Sequence, residues 1–179
     1  TFYKFPFTEA NIQNGALTGS TGLVWSPDAS WMISLNLSTG FRAPNVDDVG
    51  KIFDSEPGSV VVPNPDLKAE YAYNAELGAA KIIGDFLKID GSVFYTVLDQ
   101  AMVRRNFNLN GQDSIIYDGE LSQVQAIQNA SIANVYGVQA GFEWKLPYDF
   151  AVASRFNYQF GEEELDDGTT APLRHAAPW

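Results

Sequence analysis

The chain has 179 residues, 22 acidic against 11 basic side chains for a formal net charge of −11, no cysteine and one histidine. Without cysteine there is no disulfide scaffold, thiolate metal centre, iron–sulfur cluster or cysteine nucleophile, a single histidine argues against a histidine-rich metal site, and a pI near 4.3 argues against a basic nucleic-acid surface. Aromatic residues at 13% argue against disorder, and no apolar run reaches the length of a membrane helix.

The dominant signal along the chain is period two, which sends alternate side chains of a strand to opposite faces. Residues 16–25 alternate weakly, with Leu17, Thr21, Leu23 and Trp25 on one side. A tight turn through Pro27 and Asp28 leads to residues 30–42. There Trp31, Ile33, Leu35, Leu37 and Phe41 oppose Ser34, Asn36, Ser38, Gly40 and Arg42. A long connection, 43–69, follows. Residues 70–82 place Tyr71, Tyr73, Ala75 and Leu77 against Glu70, Asn74, Glu76 and Gly78, and a short turn at 83–85 leads to 87–97, with Leu87, Ile89, Val93, Tyr95 and Val97 on one face. A second long connection covers 104–124. Residues 134–146 put Tyr136, Val138, Phe142 and Trp144 against Gly137, Gln139, Glu143 and Lys145. Residues 148–160 put Tyr148, Phe150, Val152, Phe156, Tyr158 and Phe160 against Arg155, Asn157 and Gln159. The chain from 161 onward is again long and acidic. No helix of useful length is predicted.

Six strands of about 11–14 residues exceed the usual globular length of about 5–6 and suit a tilted strand crossing a bilayer. Long connections fall on every second position, so one end of an up-and-down sheet carries short turns and the other long loops. One face is apolar and the other holds Gly, Ser, Asn, Gln and charges. Aromatic residues gather at both ends of the apolar face: Trp25, Trp31, Trp144, Tyr148 and Phe150 near the short turns, and Phe41, Tyr71, Tyr73, Tyr136, Tyr158 and Phe160 near the loops. This predicts an all-β, antiparallel, up-and-down transmembrane β-barrel segment, its lumen wet and its outside in lipid. The competing reading is a soluble β-sandwich, whose strands also alternate. Membrane barrels begin at about eight strands and leave no open edge in lipid. Six strands therefore read as part of a larger barrel, and Thr1, which opens directly into mixed aromatic sequence, reads as the start of a mature piece.

Gly40-Phe41-Arg42-Ala43-Pro44-Asn45, then Asn64-Pro65-Asp66-Leu67-Lys68-Ala69-Glu70, then Tyr73-Asn74-Ala75-Glu76-Leu77-Gly78 resemble the "FRAP" and "NPDLKPE…YELG" stretches of TonB-dependent outer-membrane receptors. Ala69 stands where that family often has Pro. Pro172-Leu173-Arg174-His175-Ala176-Ala177-Pro178 resembles the loop before the next strand in the same family. The resemblance implies a 22-stranded, plugged barrel in the outer membrane of a Gram-negative bacterium. This chain (1–179) would be one partial barrel domain of about six strands, with the plug and the C-terminal strands outside it. It further implies uptake of a scarce nutrient such as an iron–siderophore, and a TonB energy-coupling complex acting through the plug. Lipopolysaccharide, outer-membrane lipid and a surface lipoprotein are the other partners expected, and no nucleic acid. A barrel subunit of an envelope complex without TonB coupling is the alternative.

Four residues are candidates for ligand contact. Arg42 lies on the polar face at the loop end of its strand, where it serves as a lumen cation or fixes the loop. Arg104 and Arg105 are adjacent and face opposite ways, one toward the vestibule and one toward lipopolysaccharide phosphate. His175 is the lone imidazole and a candidate haem ligand. Asp47, Asp48, Asp54 and Glu56 in the first loop, and Glu162, Glu163, Glu164, Asp166 and Asp167 in the last, match no defined calcium loop and read as solvated. Glu143 and Lys145 share the inner face and read as a lumen pair. No nucleophile–base pair appears, so no enzymatic activity, metal site or cofactor is expected.

Overall fold

The computed structural model describes Phe5, Phe7, Glu9 and residues 13–130, 132–165 and 168–173. Seven strands form one antiparallel sheet in the order β1 (Ser20–Trp25), β2 (Trp31–Arg42), β5 (Glu70–Ile83), β6 (Leu87–Asp99), β10 (Ile132–Lys145), β11 (Ala151–Glu164) and β12 (Thr170–Pro172). The first six are the predicted strands, and β12 is a short seventh. The five strands from β2 to β11 run 12–14 residues. At about 3.3 Å per residue and a tilt of about 45°, each crosses the roughly 30 Å hydrocarbon core of a bilayer.

The registers keep the two side-chain sets apart across the sheet. Leu23 pairs with Leu35, Leu35 with Leu77, Leu77 with Val93, Val93 with Val138 and Val138 with Tyr158. One apolar row thus crosses six strands on a single face. That face is uncovered: Leu23 is 72% exposed, Leu77 52%, Val93 53% and Phe156 52%. In a sandwich the apolar faces pack against each other and vanish from the surface. Here the apolar face meets the surroundings, as lipid requires. Aromatic contacts band its loop end, with Phe41 against Tyr71 at 5.4 Å and Tyr136 between Tyr95 at 6.3 Å and Phe160 at 5.7 Å. At the other end the Lys81 ammonium sits 4.2 Å from the centre of the Trp31 ring, a cation–π contact beside the water boundary.

The short turns are built from local chemistry. Asp28 accepts from the amide (2.7 Å) and the hydroxyl (2.6 Å) of Ser30. In the last turn Tyr148 (φ 62°) and Asp149 (φ 59°) are left-handed, so β11 starts at Ala151 and not at Tyr148 as the alternation predicts. Two such residues close the turn through the Leu146 N–H to Phe150 carbonyl bond of 2.8 Å, and a strand cannot begin inside them.

The long connections hold the largest departure from expectation, because they are folded. Residues 45–61 form α1 (Val46–Gly50), β3 (Phe53–Glu56) and β4 (Ser59–Val61). Residues 102–129 form β7 (Met102–Asn106), β8 (Ser114–Tyr117) and β9 (Glu120–Asn129). These strands make a second sheet in which β4 runs parallel to β9, while β7 and β8 pair antiparallel with it. The buried apolar core lies here and not on the barrel strands: Val60, Val62, Val124 and Ala126 are fully buried and pack with Leu109 and Ile115. A second cluster, Ala101, Val103, Ala130 and Ala133 with Leu98 and Leu173, joins this sheet to the barrel. Leu98 and Ala133 are register partners on the polar face. The loop sheet therefore roofs the polar side of the barrel wall at its loop end.

Candidate functional site

The family-like stretches build the clip that holds this roof. Asn45 caps α1 through a reciprocal pair with Asp48, side chain to backbone in both directions at 2.9 and 3.0 Å, a capping box. Asn64 is 8% exposed; its amide donates to the Ile127 carbonyl of β9 at 2.8 Å, and its side-chain oxygen accepts from the Asp66 N–H at 3.1 Å. Asn129 accepts from the Lys68 N–H and donates to the Lys68 and Gln100 carbonyls, and Glu70 accepts from the Met102 N–H at 2.8 Å. The first loop is thereby stitched to the second by side chain–backbone bonds that leave few buried polar groups unpaired.

Beneath the roof is a pocket of about 300 Å³ lined by Arg42, Asp47, Asp48, Arg104 and Glu163 together with Phe53, Val61, Met102, Val103, Ile127 and Leu173. Arg42 from β2 and Glu163 from β11 lie on the polar face, with three strands between them in the sheet order. That both line one small pocket with Arg104 shows that the wall curves around the roof on its polar side, so the polar face is the inner one.

Two predicted residues, Arg42 and Arg104, are thus brought together. Arg105 goes elsewhere: its side chain is 14% exposed, lies 3.5 Å from Glu163 and donates to the Glu164 carbonyl. It fastens the roof to the top of β11. His175 lies outside the described residues, as do Asp166 and Asp167. Among the described residues no group of three or more His, Cys, Asp or Glu is placed to hold a metal ion.

Lower on the inner face is a charged cluster that the sequence reading left unassembled. Arg155 bonds to Asp90 at 2.6 Å and to Glu143 at 3.0 Å, while Lys88 lies 3.8 Å from Asp90 and 3.9 Å from Glu143. Glu143 therefore pairs across strands with Lys88 and Arg155, where Lys145 of its own strand was expected. Lys88 stands directly opposite Glu143, where paired residues come to about 5 Å, and Arg155, opposite Gly141, is the diagonal neighbour of Glu143, within reach of a long side chain. Gly141 makes the room: a Cβ there would fall 2.7 Å from an Arg155 nitrogen. The cluster adjoins an inner-wall recess of about 530 Å³ that also includes Ser34, Glu76, Ser92, Gln139 and Asn157. The signal that could have found it was Arg155, the one cation on an otherwise uncharged stretch of the polar set of β11.

A long-stranded antiparallel wall with an uncovered apolar face, a charged inner face and a folded roof defines an outer-membrane type of β-barrel wall. Residues 2–179 match the TonB dependent receptor-like, beta-barrel family, and the chain belongs to it. It is 29% identical, over 98% of its length, to the Hemoglobin-haptoglobin utilization protein B of Neisseria meningitidis serogroup A, and 24% identical, over 84%, to the Iron-regulated outer membrane virulence protein of Vibrio cholerae. The siderophore receptor PirA of Acinetobacter baumannii shares the fold, with a TM-score of 0.61 and 17% identity over 87% of this chain and 24% of PirA. The chain spans about 23% of the length of each of the two curated relatives. It is an outer-membrane β-barrel segment.

Proposed function

We propose that the complete protein is a TonB-dependent receptor that takes up an iron compound, haem or a ferric siderophore, across the outer membrane. The observation that carries this is the roof: two long loops fold together over the polar mouth of a lipid-facing wall, which makes an entrance that recognises a ligand where a passive pore would stay open. Relatives named for hemoglobin-haptoglobin utilization and as an iron-regulated outer membrane protein support iron in that role. The remainder of the barrel, to about 22 strands, a plug in its lumen and the energised TonB partner belong to this proposal. The Arg155 cluster suits a wall that faces a plug or a water-filled lumen, where each exposed pair contributes about 0–1 kcal/mol. Transport of this kind asks for binding and passage of the ligand and for no catalytic group.

The test is growth on a single iron source. A strain lacking the full protein is expected to lose growth on haem or on one ferric siderophore while keeping growth on free ferrous iron. Equal growth of the mutant and its parent on every haem and siderophore source would overturn the assignment.

A further inference from the structure

The pocket under the roof has an unbalanced set of hydrogen-bonding partners. Of its three carboxylates, Glu163 is engaged by Arg105 and Asp48 by the backbone N–H of Asn45. Its two guanidiniums, Arg42 and Arg104, make no side-chain hydrogen bond or ion pair among the described residues, and neither does Asp47. With Arg105 included, the charges around the pocket balance at three cations against three carboxylates, but two guanidiniums stand without a hydrogen-bonding partner against one such carboxylate in a space of about 300 Å³. A guanidinium presents a planar fork of donors matched to a carboxylate or a phosphate. The remaining wall decides between these two: Phe53, Val61, Met102 and Ile127 are apolar, which suits an anion carried on an apolar body better than a strongly hydrated inorganic phosphate.

We propose that Arg42 and Arg104 form a binding subsite for a small organic monocarboxylate, the carboxylate between the two guanidiniums and its apolar body against Phe53 and Met102. The subsite rests on the uptake reading only for its place on the ligand's route. The position explains why the two arginines come from separate elements, one from the barrel rim and one from the roof. A ligand bridging them ties the roof to the wall.

The experiment uses the purified full-length receptor in detergent, without any energy-coupling partner, so that a failure of transport and a failure of this subsite read out separately. Saturation-transfer NMR follows benzoate, with benzamidine as the cationic counterpart and inorganic phosphate as competitor. Benzoate is expected to bind and benzamidine not to. Arg42→Gln and Arg104→Gln should each weaken benzoate about tenfold or more, the loss expected for one charged hydrogen-bonding partner. Asp47→Asn should tighten binding a few-fold by removing the opposing charge. Neither arginine has a side-chain partner among the described residues, so the variants should keep the parent's melting temperature. Equal benzoate binding by the parent and the Arg42→Gln, Arg104→Gln double variant would overturn the proposal, as would no benzoate binding by the parent. Displacement of benzoate by equimolar phosphate would overturn the organic-carboxylate assignment in favour of a phosphate site.

Discussion

The carboxylate of Asp28 is fully exposed, yet its two bonds from Ser30 hold its pKa below the ordinary value of 3.8, the hydroxyl contributing most and the amide next. Asp28 sits in the turn between β1 and β2, outside the membrane-spanning stretches. Because the folded value is lowered, the stabilisation is complete above the ordinary carboxylate range and fades as pH falls through the lowered folded value. Hydrogen exchange at the Ser30 and Trp31 amides should therefore show protection that declines on acidification in the parent. Asp28→Asn should start less protected at neutral pH and respond little to acid. A parent turn whose protection does not change down to strongly acidic pH would show that the Asp28–Ser30 bonds do not hold it. Nothing in the alternation of the flanking strands reveals this bond. What the sequence does show is an Asp two residues before a Ser after Pro27, the ordinary chemistry of a side chain–backbone turn.

At the scale of elements, the strands and the roof differ in how openly they are written. The barrel strands were legible because each has one face in lipid and one in water, so period two persists for 12–14 residues. The roof strands are 3–10 residues long; β4 is buried along its whole length and carries a short apolar run in place of alternation, while the buried positions of β9, Ser122, Val124 and Ala126, alternate over too few residues to stand out. Signals were nonetheless present. Val60-Val61-Val62 is a buried β-branched run, and Asp118-Gly119 joins β8 to β9 with φ values of 48° and 88°, the pair that a two-residue hairpin asks for. Of the candidate site, Arg42 and Arg104 were legible as cations at a loop end. Their meeting was not, because it depends on the parallel pairing of β4 with β9, which joins two loops far apart in the chain. That pairing has an energetic consequence. Val60 and Val124 are register partners with no exposure, and trimming either removes about two methyl groups, or about 1.5–3 kcal/mol with the cavity included. Val124→Ala should thus make the roof markedly more sensitive to an added protease in intact cells. The barrel, whose strand pairs lie elsewhere, should keep its heat-resistant electrophoretic mobility. Loss of both together would mean that roof and wall fold as one unit.

For the whole molecule, the inside–outside assignment makes the strongest demand, because it concerns every strand at once. The sheet buries almost nothing on its apolar face, yet an aqueous face of this composition, with Leu35, Leu77, Val93 and Val138 all well exposed, is the kind of continuous patch that soluble proteins avoid. At about 25 cal/mol per Å², each such side chain stabilises the inserted state by about 1–2 kcal/mol when it passes from water to hydrocarbon, and the row repeats on six strands. This chain contains no cysteine, so single cysteines introduced here in a cysteine-cleared full-length protein report unambiguously. Spin labels at Leu77→Cys and Val93→Cys should be relaxed by oxygen dissolved in the bilayer and shielded from a water-soluble nickel chelate. Labels at Asn36→Cys and Gln139→Cys, on the polar set of β2 and β10, should show the reverse bias. The two signatures should alternate residue by residue along β2, since moving one position flips the face. Chelate access equal for both sets would place the apolar face in water and remove the membrane assignment, and with it every functional inference built on a lumen. A reversed pattern, with Gln139 in lipid and Leu77 in water, would require the roof and its arginine pocket to sit outside the barrel, because the roof packs on the face that carries Leu98 and Ala133.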